Sequence, residues 1–153
     1  MGQYEYVIHG DSSGKVHRQE QGNSFGGTDI FSLYQTPFLH MQDPEQRKIF
    51  YTVATYLRSE GDNELTMSVL YDYEDFNTLG PTNFTLTTEN AAAYYNEALY
   101  NSTAVFDGNP APVKRTNISG SGKSVAFKYV TNDTNAAHSI QGLVITFGVG
   151  DRL

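Results

Sequence analysis

Ser119-Gly120-Ser121-Gly122-Lys123-Ser124 is the segment closest to a chemical motif, because Gly-Lys-Ser ends a phosphate-binding P-loop. The full pattern needs a glycine five residues before Gly122, where Asn117 stands. It also needs a following helix whose first amides hold the phosphates. Ser124-Val125-Ala126-Phe127-Lys128-Tyr129-Val130 alternates as a strand instead, so the segment reads as a tight Gly-rich β-turn. The four histidines (His9, His17, His40, His138) show no metal-binding spacing, although His9 and His17 can face each other across a hairpin. Asp72-Tyr73-Glu74-Asp75 gathers three carboxylates at a strand end. Calcium favours such oxygen-rich loops, but the glycine and closing Glu of an EF-hand are missing, and a solvated strand end is the simpler account. A glycoside hydrolase would need two of Asp72, Glu74 and Asp75 about 5–9 Å apart across a cleft. No Gly-x-Ser-x-Gly elbow occurs. The sequence is therefore expected to be no enzyme, with no catalytic, cofactor-binding or metal residues to name and no cofactor.

The elements that carry these residues follow from composition. A chain of 153 residues fits one domain and can bury a core without staples. It has no cysteine, which removes disulfides, thiolate metal sites and cysteine nucleophiles. A net charge of −7 argues against a general affinity for phosphate backbones. The apolar stretches Ala91–Tyr95 and Gly142–Phe147 are too short to span a membrane, and Met1–Gly10 lacks the pattern of a signal peptide. Four Asn-x-Ser/Thr triplets, at Asn83, Asn101, Asn117 and Asn132, read as polar strand and loop residues. Eleven Tyr and nine Phe without Trp suit half-buried pleated surfaces and interfaces.

Period-two alternation recurs along the chain and helical periodicity is nearly absent. Tyr4–Ile8 and Lys15–Gln21 read as a hairpin around Gly10–Gly14, followed by the Gly-rich connection Gln21–Gly27. Ile30–Tyr34 is a strand that stops at Thr36-Pro37. Arg47–Arg58 and Glu64–Tyr73 alternate without a break, and the polar turn Ser59–Asn63 makes them the surest hairpin expected. On Arg47–Arg58, Lys48, Phe50, Thr52, Ala54 and Tyr56 fall on one face and Ile49, Tyr51, Val53, Thr55 and Leu57 on the other. Thr82–Thr88, Val113–Ile118, Ser124–Thr131 and Ile140–Val149 are further strands. Glu89–Tyr100 is the one plausible helix, or else an irregular crossover, and Asp107–Pro112 is a loop. The expectation is an all-β fold: an antiparallel β-sandwich or jelly roll with an N-terminal β-hairpin and at most one short helix. Residues 1–27 would form a hairpin arm with its connection, and residues 28–153 the sandwich.

Several segments together resemble tail proteins of short-tailed bacteriophages. Gly14-Lys15-Val16-His17-Arg18-Gln19-Glu20-Gln21-Gly22 matches their G-x-V-x-R-x-(E/D)-x-G passage, followed by a strand ending at Thr36-Pro37. Asp43-Pro44-Glu45-Gln46-Arg47-Lys48 then leads into a long strand, and Gly61–Val69 precedes an Asp-rich strand end. Gly120–Ser124 before a strand, Ser139-Ile140-Gln141-Gly142, and a last strand closing near Arg152 complete the likeness. The arrangement is similar to the C-terminal β-domain of tail hub or nozzle (tail tubular) proteins, whose members are usually several-fold longer. The resemblance implies a structural virion protein without catalytic residues. Its partners would be other tail or portal/adaptor proteins and copies of itself in a homo-oligomeric ring, with DNA only passing non-specifically through a lumen. Synthesis in the host cytoplasm and residence in the virion follow from the same likeness, and no membrane is involved. The alternative is a carbohydrate-binding β-sandwich module of a phage fibre or adhesin, using exposed Tyr beside Asp and Asn.

Overall fold

A computed structural model of the chain describes residues 5–19, 22, 24, 26–59, 63–75, 77–88, 113–134 and 138–150. Alternating sequences pair there into three antiparallel sheets. The N-terminal hairpin, β1 (Ile8–Gly10) and β2 (Val16–Arg18), is a sheet of its own. β3 (Ile30–Gln35), β9 (Val125–Asp133), β5 (Asn63–Tyr71) and β6 (Phe84–Thr88) form the second, in that spatial order. The third runs β10 (His138–Val149), β4 (Lys48–Ser59), β7 (Val113–Asn117), with the two-residue β8 (Ser121–Gly122) also on β4. A 3-10 turn at Asp72–Glu74 is the one helical element among the described residues. The expected helix at Glu89–Tyr100 and loop at Asp107–Pro112 lie outside them.

The two larger sheets face each other as a β-sandwich. Phe50, Val53 and Leu57 of β4 meet Leu65, Met67 and Val69 of β5 and Phe127 and Tyr129 of β9 in one buried cluster. Ile140, Leu143, Ile145 and Phe147 of β10 flank it. The all-β expectation holds, but the surest hairpin does not. β4 pairs with β10, β7 and β8, while β5 pairs with β6 and β9. The connection after Ser59 carries the chain from one sheet to the other. Alternation states only that each strand buries one row. Two such rows bury more apolar surface facing each other across a sandwich than lying side by side in one sheet.

β4 also breaks the expected alternation. Lys48 and Phe50 point inward, but the inward row then continues as Val53, Thr55 and Leu57. The register explains it: Phe147 pairs with Phe50 and Thr146 with Thr52, so Tyr51 is an extra residue, a β-bulge. β10 answers with its own shift between Ile140 and Gly142, which keeps Ile140, Leu143 and Ile145 all facing the core. Without the bulge, every inward residue after Phe50 would turn to solvent.

Within the core the Thr55 and Tyr129 hydroxyls form a buried hydrogen bond at 3.0 Å. Burial pushes the phenols of Tyr71 and Tyr129 up to about 12. A phenol with a raised folded-state pKa contributes stability that is complete below its unfolded pKa and lost as pH rises through the folded value. The thermal midpoint should therefore hold below pH 10 and fall between pH 10 and about 12, as read by circular dichroism melts. Tyr129→Phe strands the Thr55 hydroxyl and should cost about 1–3 kcal/mol in urea unfolding.

Candidate functional site

The two segments singled out for chemistry, Ser119–Ser124 and Asp72–Asp75, are brought together. The Asp72 carboxylate accepts hydrogen bonds from the backbone amides of Lys123 at 2.7 Å and Ser124 at 3.0 Å. The Asp72 amide returns one to the Ser124 carbonyl at 3.2 Å. Amides aimed in this way can cradle an anion, and here the anion is the protein's own side chain. A fixed carboxylate at that place repels phosphate, so the arrangement cannot work as a P-loop. Ser124 leads into β9 rather than a helix, as its alternation predicts. The turn reading needs one refinement, since Ser121 and Gly122 form β8 against Ile49 and Lys48.

Other groups close around the same loop. Gly120 has φ +139°, and a Cβ there would lie 2.4 Å from the Tyr71 ring, so only glycine fits. The Tyr71 hydroxyl donates to the Ser119 carbonyl at 3.1 Å, and its ring stacks on Phe50 at 5.4 Å. Arg47 donates to the Ser121 hydroxyl and carbonyl at 3.0 and 3.2 Å. Lys48 is 1 % exposed, and its ammonium donates to the Asp43 and Lys123 carbonyls. Alternation put Lys48 on the same face as Phe50 without saying which face is buried, and a lysine in that row gave no sign of being inside. Arg47 and Lys48 thus serve this loop, while on β7 Lys114 is half-buried and Arg115 exposed.

Beside the loop, one end of the sandwich exposes an aromatic group. Tyr73 is 65 % exposed, with Phe38 at 4.5 Å between ring centres and His40 Nε2 3.0 Å from its hydroxyl. His40 Nδ1 is enclosed without a hydrogen-bond partner. Met41, Gln42, Asp72, Tyr73 and Glu74 all have positive φ, a conformation that costs about 1–3 kcal/mol per non-glycine residue. The Asp75 carboxylate accepts from the Asn77 amide and side chain, both at 3.0 Å. Asp72 and Asp75 are thus held by turn hydrogen bonds rather than paired across a cleft.

The hairpin brings His9 opposite His17, with rings stacked at 5.5 Å. The Asp11 carboxylate accepts from the Ser13 and Lys15 amides at 2.8 and 2.9 Å and pairs with His17 Nε2 at 2.9 Å. The His17 hydrogen bond, then that from Ser13, holds the Asp11 carboxyl well below the usual range. His9, Asp11, Lys15, His17 and Arg18 line an open groove of about 800 Å³. Arg18 lies 3.4 Å above the centre of the Tyr6 ring. Among the described residues, no three His, Asp or Glu side chains converge as a metal site requires.

The remaining distinctive surface is apolar. Ile49, Tyr51, Tyr56 and Val144 are exposed on the outer face of the β10–β4–β7 sheet, and the Tyr51 hydroxyl sits over Gly148. Among the described residues no helix is long and apolar enough to cross a membrane. Comparison with family models, curated proteins and solved structures finds no match to this chain.

Asp72→Ala should leave two amides unmatched and lower stability by about 1–3 kcal/mol. Gly120→Ala should do at least as much by driving a methyl into Tyr71. Urea titration of both variants checks the pair.

Proposed function

We propose that this chain is a structural virion protein, a component of a bacteriophage tail of the hub or nozzle kind, working through protein–protein interfaces rather than catalysis. The observation that carries the reading is the outer face of the β10–β4–β7 sheet, where Ile49, Tyr51, Tyr56 and Val144 stand exposed together. Tyr combines a large apolar body with a polar tip and little conformational freedom to lose, which suits a surface that is buried on assembly. The partners are other tail or portal/adaptor proteins and further copies in a ring. The acidic net charge suits a lumen through which DNA slides without sticking. Purified tail particles should contain the chain by mass spectrometry. A Tyr51→Asp, Tyr56→Asp double variant should keep its circular dichroism yet be lost from the particles. Equal incorporation of variant and parent would overturn the reading.

A second reading, a carbohydrate-binding module, is favoured by Tyr73, whose exposed ring lies against Phe38 and is followed in sequence by the exposed Glu74 and Asp75. A sugar face could stack on it. Titration against a glycan array should then give binding that Tyr73→Ala abolishes, and a blank array removes this reading.

A further inference from the structure

β3 is an unusual strand to leave at the edge of a sheet. Its one described neighbour is β9, and Tyr129 on that neighbour is buried. Tyr34, which pairs with Tyr129 and shares its inward face, is nevertheless 50 % exposed. On the outward face Phe31 and Leu33 are 62 % and 50 % exposed. Both faces of the strand are therefore apolar and open. Edge strands are ordinarily guarded by charge, proline or a bulge. Ile30–Gln35 has none of these, and no Asp, Glu, Lys or Arg occurs from Ile30 to Gln42.

The backbone specifies what could bind. The Thr36 amide donates to the Phe127 carbonyl at 2.9 Å, continuing the β3–β9 register. Antiparallel alternation then turns the amides and carbonyls of Ser32 and Tyr34 towards β9, and those of Phe31, Leu33 and Gln35 away from the sheet.

We propose that two copies of this chain pair through β3, antiparallel about a two-fold axis at Ser32, an inference that gives the interface reading above a specific partner. A two-fold axis normal to the sheet must pass through a residue, so that both copies keep their inward faces on the same side. With the axis at Ser32, Phe31 pairs with Leu33 twice on the outer face, and Ile30 with Tyr34 twice on the inner face. With the axis at Leu33, Phe31 would meet Gln35 and Ser32 would meet Tyr34, joining apolar to polar side chains. The Ser32 register also forms hydrogen bonds between the Phe31 and Leu33 backbones, the groups that point outward. The two four-stranded sheets become one continuous sheet of eight strands.

Charge favours a second copy as the occupant. Copies with a net charge of −7 repel each other, and an edge without charged residues is where they can approach. In this register Asp29 of each copy lies opposite Gln35 of the second copy, whose own β9 neighbour is Lys128. Opposite charges therefore flank both ends of the joint on the outer face.

The absence of cysteine makes the test direct. In Ser32→Cys the two thiols form a non-hydrogen-bonded antiparallel pair with Cα atoms ~4.5 Å apart, within the disulfide range. Mild oxidation of the full chain should give a disulfide dimer on a non-reducing gel. Thr85→Cys, exposed on the other edge strand of the sheet, should stay monomeric. Adding Leu33→Lys, or separately Phe31→Lys, to Ser32→Cys should slow cross-linking roughly tenfold. Equal cross-linking of Ser32→Cys and Thr85→Cys, or no effect of either lysine in variants that keep their circular dichroism, overturns the proposal. Particle incorporation that still depends on Tyr51 and Tyr56 would then leave the interface reading standing without this partner.

Discussion

The sandwich depends on the place where the chain passes from one sheet to the other between β8 and β9. Within Ser119–Ser124 the backbone must first lie on β4 and then start a strand in the opposite sheet. Asp72, at the end of β5, fixes that passage with two amide hydrogen bonds from Lys123 and Ser124. Bonds to a charged acceptor contribute about 1.5–3 kcal/mol each. The left-handed backbone at Asp72–Glu74 costs a comparable amount, so the turn persists because its surroundings determine it. Tyr71 against Gly120 and Lys48 under the Lys123 carbonyl supply those surroundings. Each member of the group holds another in place. This accounts for a buried ammonium, whose burial the Asp43 and Lys123 carbonyls offset by accepting from it.

The bulge at Tyr51 has an equal reach in the other direction. By adding a residue to β4 it keeps Val53, Thr55 and Leu57 in the core while leaving Tyr51 outside, over Gly148. Packing and surface are thereby coupled: one irregularity both completes the core and places Tyr51 between Ile49 and the Val144–Tyr56 region. A regular strand of the same sequence would bury Tyr56 and expose Leu57.

Much of the fold was legible because period-two alternation records burial directly. β6 and β7 fall within segments that alternation marks, β3, β5, β9 and β10 overrun theirs by one or two residues at one end, and His9 does face His17. Which strands pair was not legible. β4 and β5 alternate equally well as hairpin partners and as opposite walls of a sandwich. The bulge was hidden because Tyr51, Thr52 and Val53 continue the pattern on paper in either phase. The strand that follows the loop around Lys123 was legible from its alternation, and β9 begins there at Val125. The loop's partner Asp72, some fifty residues earlier, could not be seen, because a carboxylate at a strand end looks solvated until the fold supplies amides.

The distribution of charge links the architecture to assembly. The chain carries 27 charged side chains, yet β3, β6 and β10, three strands with a single described long neighbour each, contain no Asp, Glu, Lys or Arg. Of the outer strands in the two large sheets, β7 alone bears charges, at Lys114 and Arg115. A protein that stays apart from its neighbours puts charge on its edges, because exposed amides and carbonyls are templates for pairing. Here charge is concentrated elsewhere, notably in turns such as Asp72–Asp75, and the edges are left neutral. β10 is mitigated by an inward row packed on the core, and β6 by its Thr-rich, five-residue length. β3 has neither protection. An uncharged strand with both faces exposed is costly in isolation and stabilising once covered, which is the physical ground of the pairing proposed through β3.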